Sequence, residues 1–296
     1  MGKTINGLRS HASFTRPYTE NLWAKHINKK LLERVKELRP DVFLVIRGEE
    51  LYQETLRVMM DTYHARTVSW WTEPRLEHKY YISSLPDFDF VFTFDKEHIA
   101  QMQGYGARSV HYLPLACDPM IHKKIDLTEE ENKLYGHDIS FCGAVNSARI
   151  EDFKAIKDLD FAIWGMHWRR IVKQGGLSKN FKGEVMGDEV AKVYSASKIG
   201  LNVHHPTTLT GANARTFEIP ACGVMEMVDY KESIAELFRI GEEIICYKDR
   251  AELRKFAEYF LARPAEREEV ARRGMERALK EHRFIDRMRA VLSAVG

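Results

Sequence analysis

Cysteine is scarce in this chain, with four in 296 residues, at positions 117, 142, 222 and 246. No two form a CxxC pair, which leaves small buried apolar residues in a reducing compartment as their reading. Long apolar runs are missing too. No stretch approaches the roughly 18–20 apolar residues that span a bilayer, and the first residues lack the apolar core of a signal peptide. The expected location is therefore the cytoplasm. An excess of one charge is also absent: 45 Lys+Arg stand against 43 Asp+Glu, a net charge of +2. That balance gives nucleic acid no electrostatic footprint, and no block of like charge reads as a tail. There is no HExxH and no carboxylate–histidine ligand spacing, so no metal is expected. His204 and His205 are adjacent, and neighbours on a strand point to opposite faces, where they cannot readily chelate together.

What is present is an ordinary globular composition, 44% hydrophobic and 30% charged, at a length that suits two domains. Helical periodicity over 19–38 ends at Arg39-Pro40-Asp41. Residues 42–46 then form a continuous apolar run, typical of a strand buried on both faces. The cycle repeats: helix 49–62, strand 67–71, helix 75–85, strand 88–94, helix 96–103, strand 110–113. Such alternation means a parallel sheet flanked by helices. A polar segment over 118–137, with TEEEN at its centre, interrupts the alternation. It reads as a linker and sets the expected domains at 1–125 and 126–296.

The second half restarts with strand 138–144, helix 148–157 and strand 161–164. A glycine-containing loop over 165–181 and a helix over 188–196 follow. Residues 198–229, KIGLNVHHPTTLTGANARTFEIPACGVMEMVD, then read as strand, polar loop, short helix and strand. A loop at the carboxyl end of a strand, feeding a helix N-terminus, is where open α/β sheets bind anions. Helices over 231–238, from Asp249 and from Pro264, and a last one over 284–295, complete an α/β chain of two doubly wound domains with a helical C-terminus. Asp249 and Glu252 have capping-box spacing.

The ordered series PDVFLVIRGEE, VSWWTEP, FDFVFTFDKEHIAQMQGYGARSVHYLPLACDP, DISFCGAVNSARIEDF, IWGMHW, VYSASKIGLNVHH and ANARTFEIPACG strongly resembles CgeB-like glycosyltransferases, from about residue 25 to the end. These belong to the GT-B superfamily, in which two Rossmann-like domains face each other across a cleft. The resemblance implies transfer of a sugar from a nucleotide-diphosphate donor (UDP, GDP or dTDP) held by the C-terminal domain, without a separate cofactor. The acceptor could be a glycan, a protein or a small molecule.

On that resemblance, Glu218 falls where related enzymes place a glutamate on the donor ribose, a diol that a carboxylate can accept from twice. Thr210 stands where the relatives carry a first glutamate, which removes one support for retention of anomeric configuration. Gly211, Ala212, Asn213 and Arg215 are candidate diphosphate contacts; a capped helix with Asn213 as N-cap and a solvated Arg215 gives the same pattern. The turn with Gly143, Asn146 and Arg149 is a second candidate phosphate site. It is not GxGxxG, so no dinucleotide is expected. Trp164 is either a wall of the donor pocket or a core residue. Gly183, Glu184 and Val185 resemble the segment that holds the base, and His204 is expected to line the cleft.

On the acceptor side stand Arg47, Gly48 and Trp71, with Glu73 as the candidate general base; a turn carboxylate before Pro74 is the alternative. Asp87-Phe88-Asp89 imitates a metal-binding DxD but opens an apolar strand, so it reads as a strand boundary. GT-B N-terminal domains normally begin with a strand, a glycine-rich turn and a helix, and this chain starts after that unit. A second copy or partner subunit that completes the domain is one expectation, and a minimal or truncated domain is the other. Two rival functions fit the same pattern: a non-catalytic nucleotide-sugar binder or partner protein, and a sugar-nucleotide epimerase.

Overall fold

The computed structural model describes residues 16–296, with side chains from Leu22 onward. Residues 1–18, ahead of the expected helix, show no clear period and read as irregular; of these, 1–15 lie outside the described residues. The chain divides into two compact units, one running to Leu113 and taking in Val295, the other running from Pro114 to Ala294 and taking in Gly296.

The first unit opens with α1 (Arg16–Leu38) and continues β1 (Val42–Ile46), α2 (Gln53–Tyr63), β2 (Arg66–Trp71), α3 (Lys79–Ser84), β3 (Phe90–Thr93), α4 (Glu97–Gly104) and β4 (Val110–Tyr112). Its four strands pair in parallel and in chain order, β1-β2-β3-β4. Strand β1 therefore lies at an edge. Its residues are half-buried and Ile46 is exposed, so the apolar run is not covered on both faces as its composition suggests. The core is built on Leu56, Trp71, Tyr81, Leu85, Phe88 and Met102. Trp71 and Tyr81 stack at 4.2 Å between ring centroids. The Tyr81 hydroxyl meets Ser69 Oγ at 2.9 Å, so the buried phenol is not left unpaired.

The second unit contains α5 (Glu129–Tyr135), β5 (His137–Cys142), α6 (Ile150–Lys154), β6 (Phe161–Trp164), α7 (Trp168–Gly175), β7 (Phe181–Gly183), α8 (Asp188–Ser195) and β8 (Ser197–Asn202). These are followed by α9 (Arg215–Ala221), β9 (Met225–Asp229), α10 (Ile234–Leu237), β10 (Ile245–Tyr247), α11 (Arg250–Leu261), α12 (Pro264–Glu281) and α13 (Phe284–Val295). Its six parallel strands run in the order β10-β9-β8-β5-β6-β7. Chain direction across the sheet thus reverses between β5 and β8. Strand alternation sorts the two faces. Ile139, Phe141, Ile163, Ile199, Leu201, Met225 and Met227 enter one apolar cluster, with Phe153 and Trp168 stacked over it. Cys142, Ala162 and Trp164 enter another, with Tyr194, Ile219 and Val224.

Two further expectations change. The polar segment over 118–137 is not a free linker: Ile125 N–H donates to Ser195 Oγ at 2.9 Å, and the residues leading into it are tied in as well, with Cys117 N–H on His282 O at 2.9 Å and Arg287 Nε on Pro114 O at 2.9 Å. These bonds bind it to the second unit and put the division before it, at Leu113. Its TEEE stretch forms a capping box at the start of α5, with Glu131 N–H on Thr128 Oγ1 at 3.2 Å and Thr128 N–H on Glu131 Oε2 at 3.0 Å. The stretch 165–181 is not a plain loop either. It carries α7, whose Trp168 and Val172 are buried one turn apart, and the short edge strand β7. The glycines that suggested a loop serve the ends of these elements, Gly176 closing α7 at φ 70°.

Gly165 shows how tightly the strand ends meet. Its φ is 133°, and a Cβ there would lie 2.2 Å from Gly143 O. Gly165→Ala is expected to cost about 2–4 kcal/mol by chemical denaturation, since both backbone strain and a backbone clash oppose it. Gly104→Ala, with open space and no positive φ, should stay within about 1 kcal/mol of the parent, on the stabilising side. Equal effects of the two would contradict this reading.

Candidate functional site

In an open parallel sheet the adjacent loops part where the strand order reverses, leaving a crevice at the carboxyl ends. Here that point lies between β5 and β8, and two turns meet there: residues 143–149 after β5 and 203–214 after β8.

Arg149 staples them together. Its Nε donates to Val203 O at 2.9 Å and its Nη1 to Ala144 O at 2.7 Å, with the guanidinium 5.1 Å from the Phe141 ring centroid. Arg215, in the first turn of α9, donates from Nε to Cys142 O at 3.0 Å. Its Nη1 is in close contact with Glu218 Oε2. The other oxygen of Glu218 faces His122 Nε2 at 3.6 Å. His122 Nδ1 accepts the Asp118 N–H at 2.9 Å, so the ring proton sits on Nε2, towards the carboxylate. Burial, reinforced by Arg215, lowers the His122 pKa. Two guanidinium groups and one carboxylate thus converge on the carboxyl end of β5. Such a set suits a ligand with an anion at one end and hydroxyl donors at the other.

The loop 204–213 is held closed from below. His204 donates both its backbone N–H and its Nδ1–H to Asp229 Oδ1, at 2.7 and 2.8 Å, and its Nε2 accepts the Asn213 N–H at 3.1 Å. Both ring nitrogens are engaged and the residue is buried, so it sets the loop's path and does not face outward. Lys231 Nζ reaches Thr208 O at 2.8 Å, and Ser233 N–H reaches Thr210 O at 3.1 Å. Gly211 and Ala212 are buried within the loop. Asn213 Oδ1 accepts the Thr216 N–H at 3.3 Å, much as the N-cap alternative requires.

The remaining donor-side candidates sit as follows. Gly143 O accepts from Trp168 Nε1 at 2.8 Å, and a Cβ on Gly143 would meet the Phe141 ring at 2.8 Å. Asn146 Oδ1 caps the short helix at Ser147–Arg149 through the Ala148 N–H at 2.9 Å. Trp164 is buried against Tyr135, in the core cluster that also holds Val185. Gly183 O accepts the Gly165 N–H at 2.9 Å, and Glu184 is exposed beyond it. Arg149, Arg215 and Glu218 come together; Trp164, in register with Cys142, is a core residue, and Glu184 is exposed.

In the first unit, Arg47 and Gly48 form the turn after β1, both at positive φ. Arg47 Nη1 pairs with Glu73 Oε1 at 3.1 Å. A groove of about 440 Å³ at this strand end is lined by Trp23, Ile27, Ile46, Arg47 and Glu49, among others. Trp71 is fully buried under Tyr81 and contributes packing. Asp89 Oδ2 accepts Thr67 N–H at 2.8 Å and Thr67 Oγ1–H at 3.1 Å, as a strand-boundary residue would. No helix among the described residues is long and apolar enough to cross a membrane.

Residues 148–293 match a family model described as glycosyl transferase-like. A comparison with curated protein sequences finds no match. Among solved structures, sucrose-phosphate synthase from Thermosynechococcus elongatus superposes with a TM-score of 0.66 at 13% identity, over 91% of this chain and 78% of that one. HepE from Anabaena, solved in complex with UDP-glucose, gives 0.66 at 10% identity, over 90% and 81%. A glycosyltransferase from Rickettsia africae gives 0.65 at 12%, over 96% and 82%. The fold is GT-B. At these identities the likeness is one of architecture, and within the GT-B fold the family match falls on the part that carries Arg149, Arg215 and Glu218.

Three residues escaped the sequence reading: Asn202, Glu226 and His122. The first two are polar residues inside apolar strands, and His122 lay in a stretch read as linker. Glu226 is almost wholly buried, with Asn202 Nδ2 on its Oε1 at 2.8 Å. Burial raises its pKa well above the ordinary 4.5. Asp229, three residues on, behaves oppositely: burial alone would raise it, but its interaction with His204, including two hydrogen bonds from that residue, brings it below 3.8. For Glu226 the unfolded chain releases its proton above about 4.5 while the folded group keeps it, so this group's contribution to stability declines as pH rises from there towards the folded pKa. Glu226→Gln, neutral at every pH, should therefore exceed the parent in thermal stability at pH 8, with the gap closing as pH falls towards 4.5. A gap independent of pH would contradict a raised pKa at Glu226.

Proposed function

We propose that the protein is a metal-independent glycosyltransferase, hexosyltransferase-like and of the CgeB-like kind, taking its sugar from a nucleoside-diphosphate donor. The observation that carries this reading is the placement of Arg149, Arg215 and Glu218 around the reversal between β5 and β8. Arg149 and Arg215 would face the diphosphate and stabilise it as the leaving group when the glycosidic bond breaks. Their Nε atoms are already committed to backbone carbonyls, so neither guanidinium needs to be ordered at the moment of reaction. Glu218 would accept the ribose hydroxyls. It pairs with Arg215, and a donor would replace that pair by giving each residue a partner of its own.

The family match over residues 148–293 and a structural neighbour that binds UDP-glucose support a nucleotide-sugar donor. For the acceptor, Glu73 is the proposed general base, taking the proton of the attacking hydroxyl, with Arg47 as the counter-ion that orients it. The Trp23-lined groove is proposed to receive the acceptor. A cytoplasmic location fits a donor of this class.

A panel of UDP-, GDP- and dTDP-sugars, assayed for hydrolysis and transfer, tests the proposal. Glu218→Ala should weaken nucleotide binding by about tenfold or more, as expected for loss of hydrogen bonds to a charged group. Glu73→Gln should lower kcat by about 10²–10⁴-fold while nucleotide affinity stays put. Nucleotide binding without turnover of any donor, and no effect of Glu73→Gln, would favour a binding protein. An epimerised donor without a transfer product would favour an epimerase.

A further inference from the structure

Asn202 and Glu226 are each about 1% exposed, deep inside the second sheet. Alternation accounts for where they point. Leu201 and Met227 join the large apolar cluster on one face, so Asn202 on β8 and Glu226 on β9 project from the other, where Ile219 of α9 packs over Gly200. Gly200 is the register partner of Glu226, and Asn202 lies one step further along β8 on the same face.

An amide nitrogen has two hydrogens. Those on Asn202 Nδ2 go to Glu226 Oε1 at 2.8 Å and to Asn213 Oδ1 at 2.9 Å, with Thr216 Oγ1 a longer third acceptor at 3.2 Å. Asn213 Nδ2 returns a bond to Asn202 Oδ1 at 2.8 Å, closing a two-way amide pair. Asn213 Oδ1 also takes the Thr216 N–H at 3.3 Å, while the Asn213 N–H ends on His204 Nε2. One residue therefore joins the rigid sheet, the end of the loop 204–213 and the first turn of α9. That turn carries Arg215, with Glu218 directly after it.

Resting on the donor-site reading above, we propose that Asn202 and Glu226 are positioning residues: Glu226 holds the Asn202 amide in one orientation, and Asn202, through Asn213, fixes the loop end and the direction in which Arg215 and Glu218 are presented. Neither touches the ligand. A free Asn side chain could flip its oxygen and nitrogen; here the Thr216 backbone N–H, which can only donate, fixes the place of Asn213 Oδ1, Asn213 Nδ2 then requires Asn202 Oδ1, and the remaining Asn202 Nδ2 hydrogen is left to Glu226 Oε1. Buried polar groups linked in this way favour one geometry over its alternatives, because a flipped amide sets donor against donor inside the protein.

The test compares the unaltered protein with Asn202→Ala, Asn213→Ala and Glu226→Gln, reading affinity for UDP, GDP and dTDP and amide hydrogen exchange over residues 204–216. The expected result is at least a tenfold loss of affinity for the nucleotide that binds the parent, and faster exchange in the loop, in both alanine variants. Exchange in β5 should remain slow. Glu226→Gln keeps an acceptor for Asn202 and should stay within threefold of the parent. Should Asn202→Ala not fold, Asn213→Ala carries the test, since its site is half-buried. Parent-like affinity in the alanine variants would overturn the proposal even if exchange rises, because the network would then be structural only. If none of the three nucleotides binds the unaltered protein, the donor-site reading fails, and this proposal with it.

Discussion

Parallel strands end with backbone carbonyls that their own sheet no longer pairs, and at the carboxyl end of β5 those carbonyls are used to seat cations. Cys142 O holds Arg215 and Ala144 O holds Arg149, while Val203 O, from the end of β8, holds Arg149 from the other side. Each guanidinium has five N–H donors in a fixed fork, so binding carbonyls through some of them leaves others directed outward with the side chain already ordered. The topology makes this arrangement available. Because β6 and β7 lie on one side of β5 and β8 to β10 on the other, the two turns at the reversal are the only neighbouring pair that must separate.

The close approach of these turns dictates several residues. Gly165 passes so near Gly143 O that no side chain fits, and Trp168 closes over the same carbonyl from the apolar side. Across the gap, the loop after β8 is closed by two buried carboxyl groups on a single strand whose pKa values are pushed in opposite directions. Asp229, lowered by His204, binds the loop's start, and Glu226, raised by burial, binds its end through Asn202 and Asn213. The two directions follow from what each carboxyl meets. His204 offers Asp229 two donors, whereas Glu226 meets one amide hydrogen.

Much of this was legible from the chain. The strand at Phe161–Trp164 and the helix at Phe284–Val295 fall where periodicity places them, and Arg149 and Arg215 lie in or just after the turns that follow β5 and β8. The failures have physical causes. Helix α7 was hidden because glycines flank a single amphipathic turn or two, and glycine at a helix end looks like glycine in a loop. The division at Leu113 was hidden because a polar stretch can be tethered by backbone hydrogen bonds, as Cys117 and Ile125 are, without any hydrophobic pattern. Strand β1 reads as buried on both faces, yet lies at an edge of its sheet; apolar composition does not reveal which strands have two neighbours. Asn202 and Glu226 went unnoticed because a lone polar residue in a strand acquires meaning only once its partners from other strands are known.

The proposed seat for the diphosphate of a nucleotide sugar, at the reversal between β5 and β8, can be mapped by amide chemical shifts on addition of UDP, GDP and dTDP. At least one nucleotide should shift amides in residues 143–149 and 204–218 together, saturably, with the sheet residues at the opposite strand ends unaffected. Saturable shifts confined to other surfaces, or none with any of the three, would contradict it.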